Sequence, residues 1–281
     1  MKLSGAFYRS SVVLLFCSFT IALSGQENAQ KSEFVPSVGQ AGKDVIWVPT
    51  PNELVNKMLE IAAVTDKDYL IDLGSGDGRT VIAAAKLGAR AVGIEYNPEM
   101  VALSMKNAEE AGVSEKTKFL KADLFESDFS EATVITMFLL PEINLKLRPR
   151  LLDLKPGTRI VSNTFTMGEW EPDVEVTTED TSTSWYTALM WIVPAKIDGT
   201  WKLGEDELNI RQEFQMFYGT FKHGDKTSNI SEGRINGDTI TFKIDGATYT
   251  GHMTGKNAIL GTVTSSSTKS DWSATLKGTG N

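Results

Sequence analysis

The chain of 281 residues has one cysteine, Cys17, and two histidines, His223 and His252. A lone cysteine excludes an internal disulfide and any cysteine-based zinc site. Two histidines are too few for a histidine-rich centre, so no metal is expected. Positive charge is also scarce: 28 Lys+Arg stand against 36 Asp+Glu, a formal net charge of -8. An acidic chain gains nothing from counterion release on phosphates, so nucleic acid is not expected as a partner. With 9 Pro, 24 Gly, 41% hydrophobic and 23% charged residues, the composition excludes collagen-like, wholly disordered and multi-span membrane proteins.

The longest apolar run stands near the start. Residues 1–11 carry Lys2 and Arg9 and no acid, and VVLLFCSFTIAL (12–23) follows. Ala22 and Ser24 put small residues at the −3 and −1 positions before Gly25. The pattern reads as a secretory signal over residues 1–24 and predicts an exported protein of the periplasm or envelope. The alternative is a retained anchor with the protein facing the cytoplasm, although the run is shorter than the ~20 apolar residues that usually span a bilayer. Membrane contact is expected only through this segment. Residues 25–43 are polar and read as a flexible leader.

Charge and periodicity then divide the chain. Residues 25–194 hold 16 basic and 26 acidic side chains, whereas 195–281 hold 10 of each. Over 44–194, strand-like runs at 69–73, 90–95, 118–123, 133–140 and 158–164 alternate with helix-like segments at 51–63, 79–88, 98–111 and 141–153. Strands alternating with helices predict an α/β domain with a parallel sheet covered on both faces. In such sheets a ligand sits at the carboxyl ends of the strands.

The residues at those ends are informative. After the first strand comes Asp72-Leu73-Gly74-Ser75-Gly76-Asp77-Gly78-Arg79. Gly74, Gly76 and Gly78 allow a tight strand-to-helix turn and let a ligand approach bare backbone. A dinucleotide fingerprint would place its third glycine at position 79, where Arg79 stands. Asp72 and Asp77 suit a cationic ligand rather than a pyrophosphate. Glu95 ends the second strand, where a carboxylate can accept both ribose hydroxyls. Asp123 is expected at the end of the third, facing an adenine edge. Asp77 also precedes a helix and can serve as its cap.

The motifs DLGSGDGR (72–79), GIEYNP (93–98) and ADLF (122–125) resemble those of class I S-adenosylmethionine-dependent methyltransferases. VPTP (48–51), MFLLPEINLKLRP (137–149) and GTRIVSNTF (157–165) extend the likeness. Together they resemble the seven-β-strand protein-lysine methyltransferases of the mitochondrial adenine nucleotide translocase and ATP synthase c-subunit, and their prokaryotic relatives. The resemblance implies a Rossmann-like sheet with helices on both faces. It implies S-adenosyl-L-methionine as cofactor, held by Asp72, Gly74, Ser75, Gly76, Asp77, Gly78, Glu95 and Asp123. It implies a lysine side chain of a protein as acceptor, with Trp47, Pro49 and Thr50 at the substrate entrance, and a last strand near 183–195 hairpinned with one near 173–179.

Methyl transfer is an in-line displacement, so positioning does most of the work. The segment after the fourth strand supplies the candidate catalytic residues Phe138, Pro141 and Glu142. Its carbonyls can orient an amine, Phe138 can exclude water, and Glu142 either steers an ammonium or is an ordinary first-turn helix acid. Residues 195–281 hold short strands between turn signals such as Asn236-Gly237 and Asp245-Gly246. They predict a small all-β domain of six or so antiparallel strands, a meander, barrel or sandwich, with its aromatics mostly in the core and a role in docking substrate. A small-molecule or lipid methyltransferase, and a non-catalytic exported binding protein using the β domain, are the alternatives.

Overall fold

The computed structural model describes residues 1–2, 5, 34–179, 184–266 and 268–278. The apolar run of the expected signal and residues 25–33 of the expected leader lie outside these. The first part of the fold alternates as predicted: α1 (Asn52–Ile61), β1 (Tyr69–Leu73), α2 (Arg79–Lys86), β2 (Arg90–Glu95), α3 (Pro98–Glu110), β3 (Thr117–Lys121), β4 (Val134–Met137), α4 (Pro141–Leu151) and β5 (Arg159–Asn163). The hairpin of β6 (Val174–Thr177) and β7 (Thr187–Ile192) completes a seven-stranded sheet in the order β3-β2-β1-β4-β5-β7-β6. The first five strands run parallel, and β7 runs antiparallel to both β5 and β6.

Period-two alternation builds its two faces. Leu70 and Val134 pack with Leu54, Met58 and Val81 of α1 and α2. Ile71, Leu73, Ile135 and Met137 face the other way, onto Leu147 and Leu151 of α4. The chain builds outward from β1 through β2 to β3 and then returns to lay β4 on the opposite side of β1. That reversal opens a crevice at the carboxyl ends of β1 and β4.

Three strands are shorter than their apolar runs predict, β5 by one residue at each end. β3 stops at Lys121, because the Asp123 carboxylate accepts the Phe125 N–H at 2.9 Å and turns the chain. Asp123 therefore lies two residues beyond the strand rather than at its end. β4 stops at Met137, since Pro141 opens α4 and holds Leu140 in an extended conformation. Phe138, Leu139 and Leu140 thus leave the sheet as a loop.

The rest of the chain forms eight strands, not six: β8 (Gly199–Leu203), β9 (Asp206–Glu213), β10 (Met216–His223), β11 (Lys226–Asn236), β12 (Thr239–Ile244), β13 (Ala247–Thr254), β14 (Ala258–Ser265) and β15 (Thr268–Leu276). They close into an antiparallel barrel. Two hairpins escape the turn signals because they turn on non-glycine residues with positive φ, Phe214 (52°) and Ser266 (53°). Trp201, Leu208, Phe217, Ile240 and Phe242 fill the interior, and the Phe242 ring stacks on Tyr249 at 4.8 Å. Tyr218, in contrast, is exposed. Phe214 leaves the barrel to stack on the fully buried Trp170, with ring centroids 6.0 Å apart and planes 11° apart. The same seam carries Gln215 Nε2 donating to the Glu171 carbonyl at 2.8 Å and an Arg234–Asp173 ion pair at 2.7 Å.

Candidate active site

A cleft of about 230 Å³ opens at the carboxyl ends of β1, β2 and β4. Its floor is the turn between β1 and α2, in which Gly74, Gly76 and Gly78 all have positive φ. The Gly76 N–H donates to Glu95 Oε2 at 3.0 Å, and the Asn97 N–H donates to Glu95 Oε1 at 2.8 Å. Each carboxylate oxygen is thereby anchored on backbone while the group as a whole lines the cleft. Asn97 also caps α3, accepting from the Glu99 N–H at 2.8 Å, and Pro98 follows in the first turn.

Asp72 lies at the bottom, 6% exposed, and accepts the Thr136 hydroxyl at 2.7 Å. Burial raises its pKa to about 7, the Thr136 hydrogen bond opposes the rise, and the Glu95 and Asp77 charges add to it. No ion pair among the described residues reaches Asp72 or Glu95. Asp77 is partnered: the Arg79 guanidinium grips both of its oxygens, with Nη2 at 2.6 Å from Oδ2. Arg79 Nη1 also donates to the Thr50 carbonyl at 2.8 Å, which ties the 47–50 segment to the glycine turn. Asp77 stands one residue before the α2 cap position, Gly78, and supplies only a 3.3 Å contact to the Arg79 N–H.

Residues 39–47, of which 39–43 were expected in the flexible leader, fold back over the cleft. Gly39 N–H donates to the Trp47 carbonyl and Trp47 N–H to the Gln40 carbonyl, both at 2.9 Å, around an Ala41–Ile46 bridge. The Trp47 indole covers Gly76 so closely that a Cβ there would lie 2.6 Å from Nε1. Lys43 pairs with the Asp123 carboxylate and sits 5.1 Å from the centre of the Tyr96 ring. That contact raises the Lys43 pKa and lowers that of Asp123.

The opposite wall is apolar. Phe138 lies 6.0 Å from Phe165 and 5.3 Å from Trp185, and Phe165 lies 5.4 Å from Trp185. All three line the cleft with Leu139 and Leu140. Asn163, fully buried at the end of β5, donates to Thr50 Oγ1 at 3.2 Å.

The family model described as the ANTKMT methyltransferase domain matches residues 72–174. A protein-lysine N-methyltransferase of Saccharolobus islandicus is 43% identical over 152 residues, which cover 53% of this chain and 94% of that protein. The chain belongs to this family of class I S-adenosylmethionine-dependent methyltransferases. The human lysine N-methyltransferase named for the ATP synthase c-subunit is 41% identical to this methyltransferase over 140 residues, 50% of this chain and 59% of the human protein. A solved structure titled as an RNA methyltransferase from Salinibacter ruber in complex with S-adenosyl-L-homocysteine is 51% identical, with a TM-score of 0.50, over 53% of this chain and 96% of that one.

The residues of this methyltransferase fit the cofactor of its class, S-adenosyl-L-methionine. Among the described residues no cation pairs with Asp72 or Glu95, which suits a ligand carrying a sulfonium and an ammonium. Gly76 leaves no side chain between the ligand and the turn. Asp72, Gly74, Ser75, Gly76, Asp77, Glu95 and Asp123 all line the one cleft, as do Trp47, Pro49, Thr50 and Phe138. Gly78 sits behind it, its α-carbon turned toward Phe119 and Ser104. Pro141 and Glu142 do not line it; Pro141 starts α4 and Glu142 is an exposed first-turn acid. Lys43, Phe165 and Trp185 also line the cleft and reach it only through the folding of loops, whereas Tyr96 follows Glu95 directly.

Proposed function

We propose that this methyltransferase transfers methyl groups to lysine side chains of protein. The observation that carries the reading is the character of the acceptor wall, which is aromatic and aliphatic. The cations lining the cleft, Lys43 and Arg79, are each tied to an aspartate. A nucleic-acid acceptor would call for basic groups free to meet phosphates. The flexible apolar stem of lysine matches such a wall, and the Saccharolobus and human relatives are named for lysine.

When bound, S-adenosylmethionine supplies the methyl carbon, which moves in line to the amine lone pair as the carbon–sulfur bond breaks toward sulfur. Glu95 would accept hydroxyl donors of the cofactor, and Asp72 would face its positive charge. Lysine must arrive neutral, since an ammonium has no lone pair. The buried Leu139, in the loop after β4, excludes water beside the amine and so disfavours the ammonium form before transfer. Pro141 fixes the path by which this loop enters α4. The product ammonium returns its proton to solvent.

The test incubates the full chain with labelled S-adenosylmethionine and a lysate of the source organism. Methyl-lysine in the protein hydrolysate, absent with Glu95→Ala, is the expected result. Label that is released by ribonuclease or extracted with solvent would overturn the reading. We further propose that residues 1–24 direct export; a mature chain beginning at Gly25 by mass spectrometry supports this, and an intact Met1 in the cytoplasmic fraction contradicts it.

A further inference from the structure

Phe138, Phe165 and Trp185 come from three separate segments: the loop after β4, the turn after β5 and the approach to β7. Their rings nonetheless meet at 5.3 to 6.0 Å. The turn that delivers Phe165 is strained. Thr164 is β-branched yet has φ of 60°, a conformation rarely tolerated outside glycine, asparagine and aspartate. Such strain persists only where neighbours over-determine it. Here the Phe165 N–H donates to the Asn163 carbonyl at 2.7 Å, and the Phe165 carbonyl accepts the Ser162 hydroxyl at 2.8 Å and Asn144 Nδ2 at 3.2 Å. Ser162, Asn163 and Asn144 are all fully buried. Two buried polar side chains, Ser162 and Asn144, and the buried Asn163 carbonyl therefore hold one turn whose visible result is the placement of an aromatic ring in the cleft.

The geometry discriminates between acceptors. Phe138 and Phe165 are within 22° of parallel at 6.0 Å, too close for a flat base to enter between them. A narrow alkylammonium needs no such gap, because ring faces and edges can surround its stem and its charge from one side. As the amine attacks, positive charge grows on nitrogen, and aromatic faces attract that charge.

We propose that Phe138, Phe165 and Trp185 form the acceptor subsite, packing the aliphatic stem of the incoming lysine and stabilising positive charge on its nitrogen, with Thr164 as the positioning residue that aims Phe165. The proposal rests on the lysine reading above and adds the side chains that would select the amine.

Two probes test it on the full chain loaded with S-adenosylhomocysteine: Nα-acetyl-Nε-trimethyl-lysine methylamide and its neutral tert-butyl carbon isostere, each titrated by NMR. The wild type is expected to prefer the cation about tenfold. Phe165→Leu and Trp185→Leu keep apolar bulk but lose the ring, and should bring the two probes within about twofold, whereas Phe165→Tyr should retain the preference. Thr164→Gly relieves the turn and is expected to weaken cation binding without lowering thermal stability. Equal binding of the two probes by the wild type, or an unchanged preference in both leucine variants, would overturn the subsite. Methyl-lysine in the lysate assay alongside equal probe binding rejects the subsite and leaves the lysine reading intact. Cation preference without methyl-lysine rejects the lysine reading and leaves a subsite for another alkylammonium.

Discussion

The Thr136 hydroxyl donates to Asp72 at 2.7 Å, joining β4 to β1 at the floor of the cleft. Even with this bond, burial and the neighbouring Glu95 and Asp77 hold Asp72 near pKa 7. The carboxyl is thus held partly protonated around neutral pH in the ligand-free protein. A cationic ligand favours the carboxylate, so S-adenosylmethionine should bind with release of a proton below pH 7. Its affinity is expected to be about tenfold weaker at pH 6 than at pH 8. Asp72→Asn should bind weakly at both pH values and lose most of that slope.

The same acid sets a stability trade. A carboxyl with a raised folded-state pKa holds a proton, between about pH 4 and pH 7, that the unfolded chain has released. Stability of the ligand-free protein therefore falls as pH rises through that window and stays low above it. Asp72→Asn removes this cost. Its Tm should exceed that of the wild type at pH 8 and converge with it near pH 4; a lower Tm at pH 8 would show that Asp72 stabilises the empty fold.

Gly76 is the position where the turn, the cofactor and the covering segment meet. With φ of 53° and Trp47 Nε1 lying 2.6 Å from where a Cβ would stand, Gly76→Ala both strains the backbone and displaces the indole. The strain alone costs about 1–2 kcal/mol. Cofactor affinity should fall by at least about tenfold, and Trp47 fluorescence should report a more exposed indole.

Phe214 seats the barrel on the methyltransferase sheet through Trp170. The connection from β5 to β6 carries Phe165 to the cleft and Trp170 to this seam, so the barrel braces the loop that shapes the acceptor side. Phe214→Ala is expected to cost about 3 kcal/mol by urea denaturation. It should raise KM for the methyl acceptor more than it changes the affinity for S-adenosylhomocysteine. An unchanged KM would confine the seam to a structural role.

Much of the cofactor side was legible in the sequence because it is local. Asp72 through Arg79 is one continuous turn, and Glu95 is the last residue of a run whose length is easily read. The role of Arg79 was not legible, since one partner, Asp77, lies two residues away but the other, the Thr50 carbonyl, lies 29 residues away. The acceptor side was opaque for the same reason. Phe165 and Trp185 approach Phe138 through two different loops, and no spacing rule predicts that meeting. Lys43 fell within a polar stretch that reads as leader, and only the Ala41–Ile46 bridge reveals that it folds back to Asp123. The barrel was undercounted where Phe214 and Ser266 turn the chain without glycine or asparagine.

Calorimetric titration of S-adenosylhomocysteine into the full chain and into Glu95→Ala tests the cleft most directly. One molecule should bind per wild-type chain, with about hundredfold weaker binding by the variant, as expected when two charge-assisted hydrogen bonds are lost. Equal affinities in two folded proteins, or no binding by the wild type, would contradict the assignment of this cleft to the cofactor.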